Sequence, residues 1–219
     1  MDKNQLKGFL PSQLVSLTNM IALNFASNQL VGTLPDVSSM TRLVNLQLFE
    51  NKLTGSIPHS LQHLTYLEIL FLSSNKLTGT VPRTISYLSG TLRGLYLSDN
   101  QIQGRIPTEL CQFSHIEALF LDTNKLFGPI PSCLGNLSQL QQLYLFQNQL
   151  TGQVPSTFGQ LQELHGLGLE QNDLTGTISG GVCTLVDKFS LDIWADCKST
   201  SHPLQCNCCS VCCPSANCQ

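Results

Sequence analysis

The sequence predicts a stacked-repeat solenoid on three observations: a segment that recurs seven times, asparagines at a near-constant interval, and leucines two apart within each copy. The copies read LNFASNQLVGTLP (23–35), LQLFENKLTGSIP (46–58), LFLSSNKLTGTVP (70–82) and LYLSDNQIQGRIP (95–107). LFLDTNKLFGPIP (119–131), LYLFQNQLTGQVP (143–155) and LGLEQNDLTGTIS (167–179) follow. Asn28, Asn51, Asn75, Asn100, Asn124, Asn148 and Asn172 are spaced 23, 24, 25, 24, 24 and 24 residues apart. Asn4 and Asp196 extend the series by one period on either side.

Each part of the unit has a physical role. The L-x-L alternation gives a short strand whose leucines point one way and whose intervening residues point the other. One such strand cannot bury its apolar face, so neighbouring units stack into a continuous core. The asparagine stands where the chain leaves the strand. Its amide both donates and accepts, and so can satisfy backbone groups that no regular ladder covers. A buried group left unsatisfied costs about 1–3 kcal/mol, which accounts for a polar residue in an apolar frame. The G-x-[IVL]-P segment turns the chain, Gly supplying backbone freedom and Pro a fixed φ. After the proline an x-x-L-x-x-L pattern, as in SCLGNLSQL (132–140), allows about one helical or 3-10 turn. The 25-residue unit has its extra residue near SYLSGTL (86–92), which predicts a small bulge on the outer side. The chain starts in mid-unit at Asn4 without a cysteine-containing cap, so the expectation is an N-terminal truncation.

Composition narrows the function. Charged residues are 11% of the 219-residue chain and the net charge is −3, which gives no basic footprint for nucleic acid. No apolar run reaches the roughly 20 residues of a membrane-spanning helix. The opening MDKNQLKGFLPSQL lacks the apolar stretch of a signal peptide. Ten cysteines, eight of them between Cys183 and Cys218, point to an oxidising, extracellular or cell-surface compartment.

The unit resembles the L-x-x-L-x-L-x-x-N-x-L-x-G-x-I-P repeat of plant-type leucine-rich repeat proteins, and the resemblance covers residues 1 to about 196. It implies an α/β solenoid: a right-handed superhelix with a parallel sheet on the concave side and short helical or 3-10 segments on the convex side. The tail ADCKSTSHPLQCNCCSVCC (195–213) resembles the cysteine-rich ending of secreted or surface leucine-rich repeat proteins of diatoms and related algae. The expected organisation is a solenoid over 1–196 and a cysteine-rich cap over 197–219.

With Leu119 and Leu121 facing inward, Phe120 faces out onto the concave sheet. The same strand-centre column reads Asn24, Gln47, Phe71, Tyr96, Phe120, Tyr144, Gly168, Asp192, with four consecutive aromatics spanning ~14 Å. Two residues on, the column reads Ala26, Phe49, Ser73, Ser98, Asp122, Phe146, Glu170, Trp194. Two readings fit these aromatics. They stack on one another and stabilise the sheet, or they form a platform for a protein, peptide or glycan ligand. The candidate ligand-binding residues are Phe49, Phe71, Tyr96, Phe120, Asp122, Tyr144, Phe146, Glu170 and Trp194. The arginine pair with which plant relatives grip a peptide's terminal carboxylate is missing, so that mode is not carried over.

Cys111 and Cys133 follow Pro107 and Pro131 in neighbouring units and read as a rung-to-rung disulfide or as two buried thiols. Cys183, Cys197, Cys206, Cys208, Cys209, Cys212, Cys213 and Cys218 could form four bridges whose connectivity the sequence does not give. The Cys209–Cys212 spacing also permits a zinc site. The family resemblance favours a disulfide cap, so no metal and no cofactor is expected. The sequon Asn136-Leu137-Ser138 agrees with secretion and N-glycosylation. His59 and His63 have no Glu between them in metalloprotease fashion, and no P-loop, G-x-S-x-G or dinucleotide fingerprint occurs, so no enzyme is expected. The leading function is an extracellular recognition module, free-standing or part of a surface receptor. The alternatives are a structural or adhesive surface protein, an inhibitor of a secreted cell-wall hydrolase, and ice binding by an exposed Thr54, Thr78, Thr151, Thr175 column. Gln103 and Phe127 interrupt that column.

Overall fold

The structure, a computed structural model, describes residues 4–196 and 204–212. Cys197, Cys213 and Cys218, and most of the expected cap, lie outside the described residues.

The L-x-L segments form a nine-stranded parallel sheet. Its strands are Ala22–Asn24, Asn45–Gln47, Ile69–Phe71, Gly94–Tyr96, Ala118–Phe120, Gln142–Tyr144, Gly166–Gly168, Asp192–Ala195 and Val211–Cys212. The register sets leucine beside leucine: Leu46, Leu70, Leu95, Leu119, Leu143 and Leu167 pair in turn, and all are fully buried. A one-residue slip would turn every such leucine to solvent, so the core fixes which residues face out.

Six prolines, Pro11, Pro58, Pro82, Pro107, Pro131 and Pro155, each sit immediately before a 3-10 helix. A group with no N–H and a fixed φ suits that position. The helices are Ser12–Ser16, His59–His63, Arg83–Leu88, Thr108–Gln112, Ser132–Asn136 and Ser156–Gln160. The extra residue of the 25-residue unit is absorbed in the longer Arg83–Leu88 turn. The 23-residue unit has no 3-10 helix after Pro35. There the Asp36 carboxylate accepts the Ser38 N–H (2.9 Å), and this bond holds its pKa below the ordinary value.

The ladder asparagines make four contacts at once. The Asn75 Nδ2 donates to the carbonyls of Leu48 (2.9 Å), Leu72 (3.1 Å) and Ser73 (3.2 Å), while its Oδ1 accepts from the Leu53 N–H (3.0 Å). Asn51, Asn100, Asn124, Asn148 and Asn172 make the same rung-to-rung pattern. Just before each ladder asparagine lies a non-glycine residue at positive φ: Ser27, Glu50, Ser74, Asp99, Thr123, Gln147 and Gln171, all between 52° and 57°. That conformation is unfavourable, most of all for the β-branched Thr123. The amide bonds on either side hold it in place.

The N-x-L-x-G segment, to which the repeat pattern assigns no element, is in large part strand. Lys7–Phe9, Gln29–Gly32 and Lys52–Leu53 form a three-stranded parallel sheet. Gln103–Gly104, Lys125–Pro129, Gln149–Gln153, Asp173–Thr177 and Leu204–Gln205 form a five-stranded one. The glycine of each unit has positive φ; at Gly55 (φ +80°) an added Cβ would also stand 2.7 Å from Thr33 Cγ2.

In the last full unit the helix Gly180–Phe189 replaces the 3-10 turn. Ser179 stands where the other units have proline, and the longer helix adds residues to the unit. Leu167 therefore pairs with Ile193, 26 residues on. This corrects three expectations. Trp194, not Asp192, continues the strand-centre column beside Gly168, and Asp192 pairs with Gly166. Asp196 does not repeat the asparagine's role; its carboxylate instead accepts the Asn172 N–H (3.1 Å).

Cys111 and Cys133 are bonded to each other, which removes the free-thiol reading. Cys183 is bonded to Cys208 and Cys206 to Cys209, and Cys212 is also disulfide-bonded. Both sulfurs of the Cys209–Cys212 spacing are thus in disulfides, so it offers no thiolate pair for zinc.

Candidate ligand-binding face

Because the leucines fill the inner positions, the residues between them line the outer face of the nine-stranded sheet. The register places Gln47, Phe71, Tyr96, Phe120, Tyr144, Gly168 and Trp194 in one column. Their rings run in continuous contact: Phe71–Tyr96 centroids are 4.6 Å apart, Tyr96–Phe120 4.9 Å and Phe120–Tyr144 4.5 Å. Phe49 stacks on Phe71 at 4.2 Å, and Tyr144 reaches Phe146 at 6.1 Å and Trp194 at 6.3 Å. All seven rings are half-buried. They pack on one another and still present surface, so both readings of the sequence describe the same atoms.

Glycines make this ribbon possible. An added Cβ at Gly94 would lie 2.5 Å from Tyr96 Cε2, one at Gly166 2.9 Å from Tyr144 Oη, and one at Gly168 2.9 Å from Phe146 Cδ1. Tyr96 therefore lies down over Gly94, and Tyr144 leans over Gly166 and Gly168 toward Trp194. Gly168 is not a gap in the aromatic column but the floor beneath two of its rings.

Asp122 is buried and accepts hydrogen bonds from Ser98 Oγ and Thr123 Oγ1. Burial outweighs those bonds and raises its pKa above the ordinary carboxylate value. Glu170 is half-buried, its Oε2 is enclosed without a hydrogen-bond partner, and burial raises its pKa, with Asp196 and Asp122 adding like charge. Tyr144 is raised by burial and then by Asp122, Asp192 and Glu170. Burial also raises Tyr96, assisted by Glu117.

The edge of this face adds residues that the sequence pattern did not single out. Arg93 is ion-paired with Glu117 at 2.6 Å, and beside Tyr96 they border a depression of about 220 Å³ with Glu68, Ile69 and Gln141. Their position just before each L-x-L strand was the available signal. A separate depression of about 580 Å³ lies among His59, Arg83, Arg105 and Glu109, on the 3-10 helix side. His59 and His63 are placed on their 3-10 helix, and Asn136 and Ser138 of the sequon are exposed at another. Thr54, Thr78 and Thr151 are exposed beside the shorter sheets, while Thr175 is half-buried.

Two leucine-rich repeat family patterns match the chain, over residues 41–102 and 139–161. No curated protein sequence matches it. Among solved structures it is similar to the plant peptide hormone receptor RGFR1 in complex with RGF2. The identity is 31% and the TM-score 0.84, over 94% of this chain and 34% of that one. It is similar to the BIR3–SERK2 complex from Arabidopsis thaliana at 39% identity and TM-score 0.56, over 62% of this chain and 71% of that one. A plant ice-binding protein matches at 24% identity and TM-score 0.72, over 100% of this chain and 82% of that one, a likeness of fold alone. The chain spans about a third of the length of the receptor chains RGFR1 and TDR.

Proposed function

The chain belongs to the leucine-rich repeat family, and from that premise we propose that it is an extracellular recognition module, not an enzyme. Its ligand is a peptide or protein segment laid along the nine-stranded face. The observation that carries this reading is the unbroken, half-exposed ring contact from Phe49 to Trp194. Aromatics bury roughly 150–250 Å² each, and a contiguous apolar patch rimmed by polar groups marks an interaction site. The similar RGFR1 is a peptide hormone receptor, which supports a peptide over a glycan as the ligand. The disulfides support an oxidising compartment, and there the exposed Asn136 would carry a glycan. A cysteine-rich cap over 197–219, like that of the diatom proteins, completes this reading of the chain.

The mutual contact of the rings favours a second reading, a spacer whose aromatics only stiffen the sheet. Peptide and glycan arrays probed with the wild type and with the Phe71→Ala, Tyr96→Ala, Phe120→Ala, Tyr144→Ala quadruple variant separate the two. The recognition reading expects array signals that drop at least about tenfold in a variant that remains folded. Signals identical in both proteins would overturn the aromatic platform and leave the rings as stiffeners of the sheet.

A further inference from the structure

Charge is divided unevenly over the molecule. Of 14 Asp and Glu residues, eight lie on the strand segments and rims of the nine-stranded face. Glu50, Glu68 and Asp99 lie on the rungs before the middle strand Ala118–Phe120, Glu117 and Asp122 flank that strand, and Glu170, Asp192 and Asp196 lie beyond it. Of 11 Lys and Arg residues, only two border this face: Arg93, which is paired with Glu117, and Arg42, beside Ile21 and Val44 at the N-terminal rim. The chain as a whole is close to balanced, with a net charge of −3, so the asymmetry belongs to this face.

Acid and aromatic positions alternate where the face is richest in rings. Asp122, Phe146 and Glu170 follow one another in adjacent rungs, one carboxylate before the ring and one after it. Adjacent rungs are ~4.8 Å apart, so the two carboxylates bracket the ring across ~10 Å. Tyr144 lies in the neighbouring column, with Trp194 6.3 Å from it. Gly168 is closely covered by Phe146 Cδ1, Tyr144 Cδ1 and Glu170 Oε2, at 2.9, 3.2 and 3.6 Å from where a Cβ would stand, so the Glu170 carboxylate lies against the two rings. Neither Asp122 nor Glu170 is ion-paired with a described residue, and Glu170 Oε2 has no hydrogen-bond partner among them. Carboxylates held beside ring faces with no cation of their own are complementary to a cation with an apolar stem.

We infer that the ligand is a peptide segment presenting a lysine or arginine, whose cation is received by Asp122 and Glu170 beside the rings of Tyr144, Phe146 and Trp194. This rests on the recognition reading above and specifies its ligand. The aliphatic stem lies along the aromatic ribbon, and the charged head pairs with Glu170, while Asp122, buried two rungs away, adds attraction at longer range. Burial has raised the pKa of both acids, and a cation brought to this part of the face would relieve that cost. The same face repels acidic segments.

The test is an array of octapeptides in matched trios that differ at one position: lysine, Nε-acetyl-lysine or glutamate. It is probed with the wild type, Phe120→Ala, Glu170→Gln and Asp122→Asn. The expected result is a lysine preference on the order of tenfold over acetyl-lysine. The preference falls toward unity in Glu170→Gln and in Asp122→Asn, while residual binding persists. Binding that Phe120→Ala removes, but that is indifferent to lysine, acetyl-lysine and glutamate, overturns the cation site and leaves the recognition reading standing. A lysine preference undiminished in both carboxamide variants also overturns it. No binding sensitive to Phe120→Ala overturns both.

Discussion

The same repeat builds two kinds of parallel sheet, and they have opposite surfaces. The nine-stranded sheet presents aromatics and carboxylates; the shorter sheets present Lys7, Lys52 and Lys125, all exposed, with threonines beside them. The difference follows from what each backbone demands. In the nine-stranded sheet leucines satisfy the core, and the residues between them are free to vary. In the shorter sheets Asn and Gly are committed to the turn, and they leave few positions for anything else. The variable surface is therefore concentrated on one face.

The largest effect should come from the element both sheets share. Asn75→Ala removes three donated bonds and one accepted bond that join the strand side to the Leu53 side. Urea unfolding should show a loss of about 3–5 kcal/mol; a loss below about 1 kcal/mol would mean that the ladder is dispensable. Gly55→Ala comes next. Its positive φ and the contact with Thr33 predict a loss of about 1–3 kcal/mol. Gly166→Ala, by contrast, has ordinary φ and meets mainly the end of the Tyr144 ring. It should cost less, yet change the emission of Trp194, the single tryptophan, by moving its ring partner. Equal losses in the two alanine variants would erase the distinction between the sheets.

The smallest effect is electrostatic and confined to the aromatic face. The folded-state pKa of Glu170 is raised above its ordinary 4.5, chiefly by burial. Its contribution to stability is thus fully present below about that pH and is lost as pH rises through the raised value. Glu170→Gln removes this dependence. Thermal unfolding should show the variant gaining on the wild type as pH rises from about 4.5 through the raised value. A constant difference across that range would contradict the assigned burial.

The periodicity showed much of this. Leu119 and Leu121 could be set inward and Phe120 outward by alternation alone, and Asn124 placed by its spacing, because core and ladder recur identically in every unit. The shorter sheets escaped because their strands alternate poorly and carry glycine, which reads as a turn. The positive φ of Thr123 is unreadable in a residue that avoids that conformation. The register of Trp194 was misplaced because the helix Gly180–Phe189 lengthens its unit, and only packing reveals where the chain rejoins the sheet. The role of Gly168 as a floor depends on the lean of Tyr144, which no single-residue pattern encodes.

The most direct test of the aromatic ribbon as a binding surface is a fluorescence titration of Trp194 with an array-selected lysine peptide, in the wild type and in Phe120→Ala. A saturable change in emission should appear in the wild type, with Kd weakened about tenfold in Phe120→Ala. Binding of equal Kd in both proteins, with Trp194 emission unchanged, would contradict it.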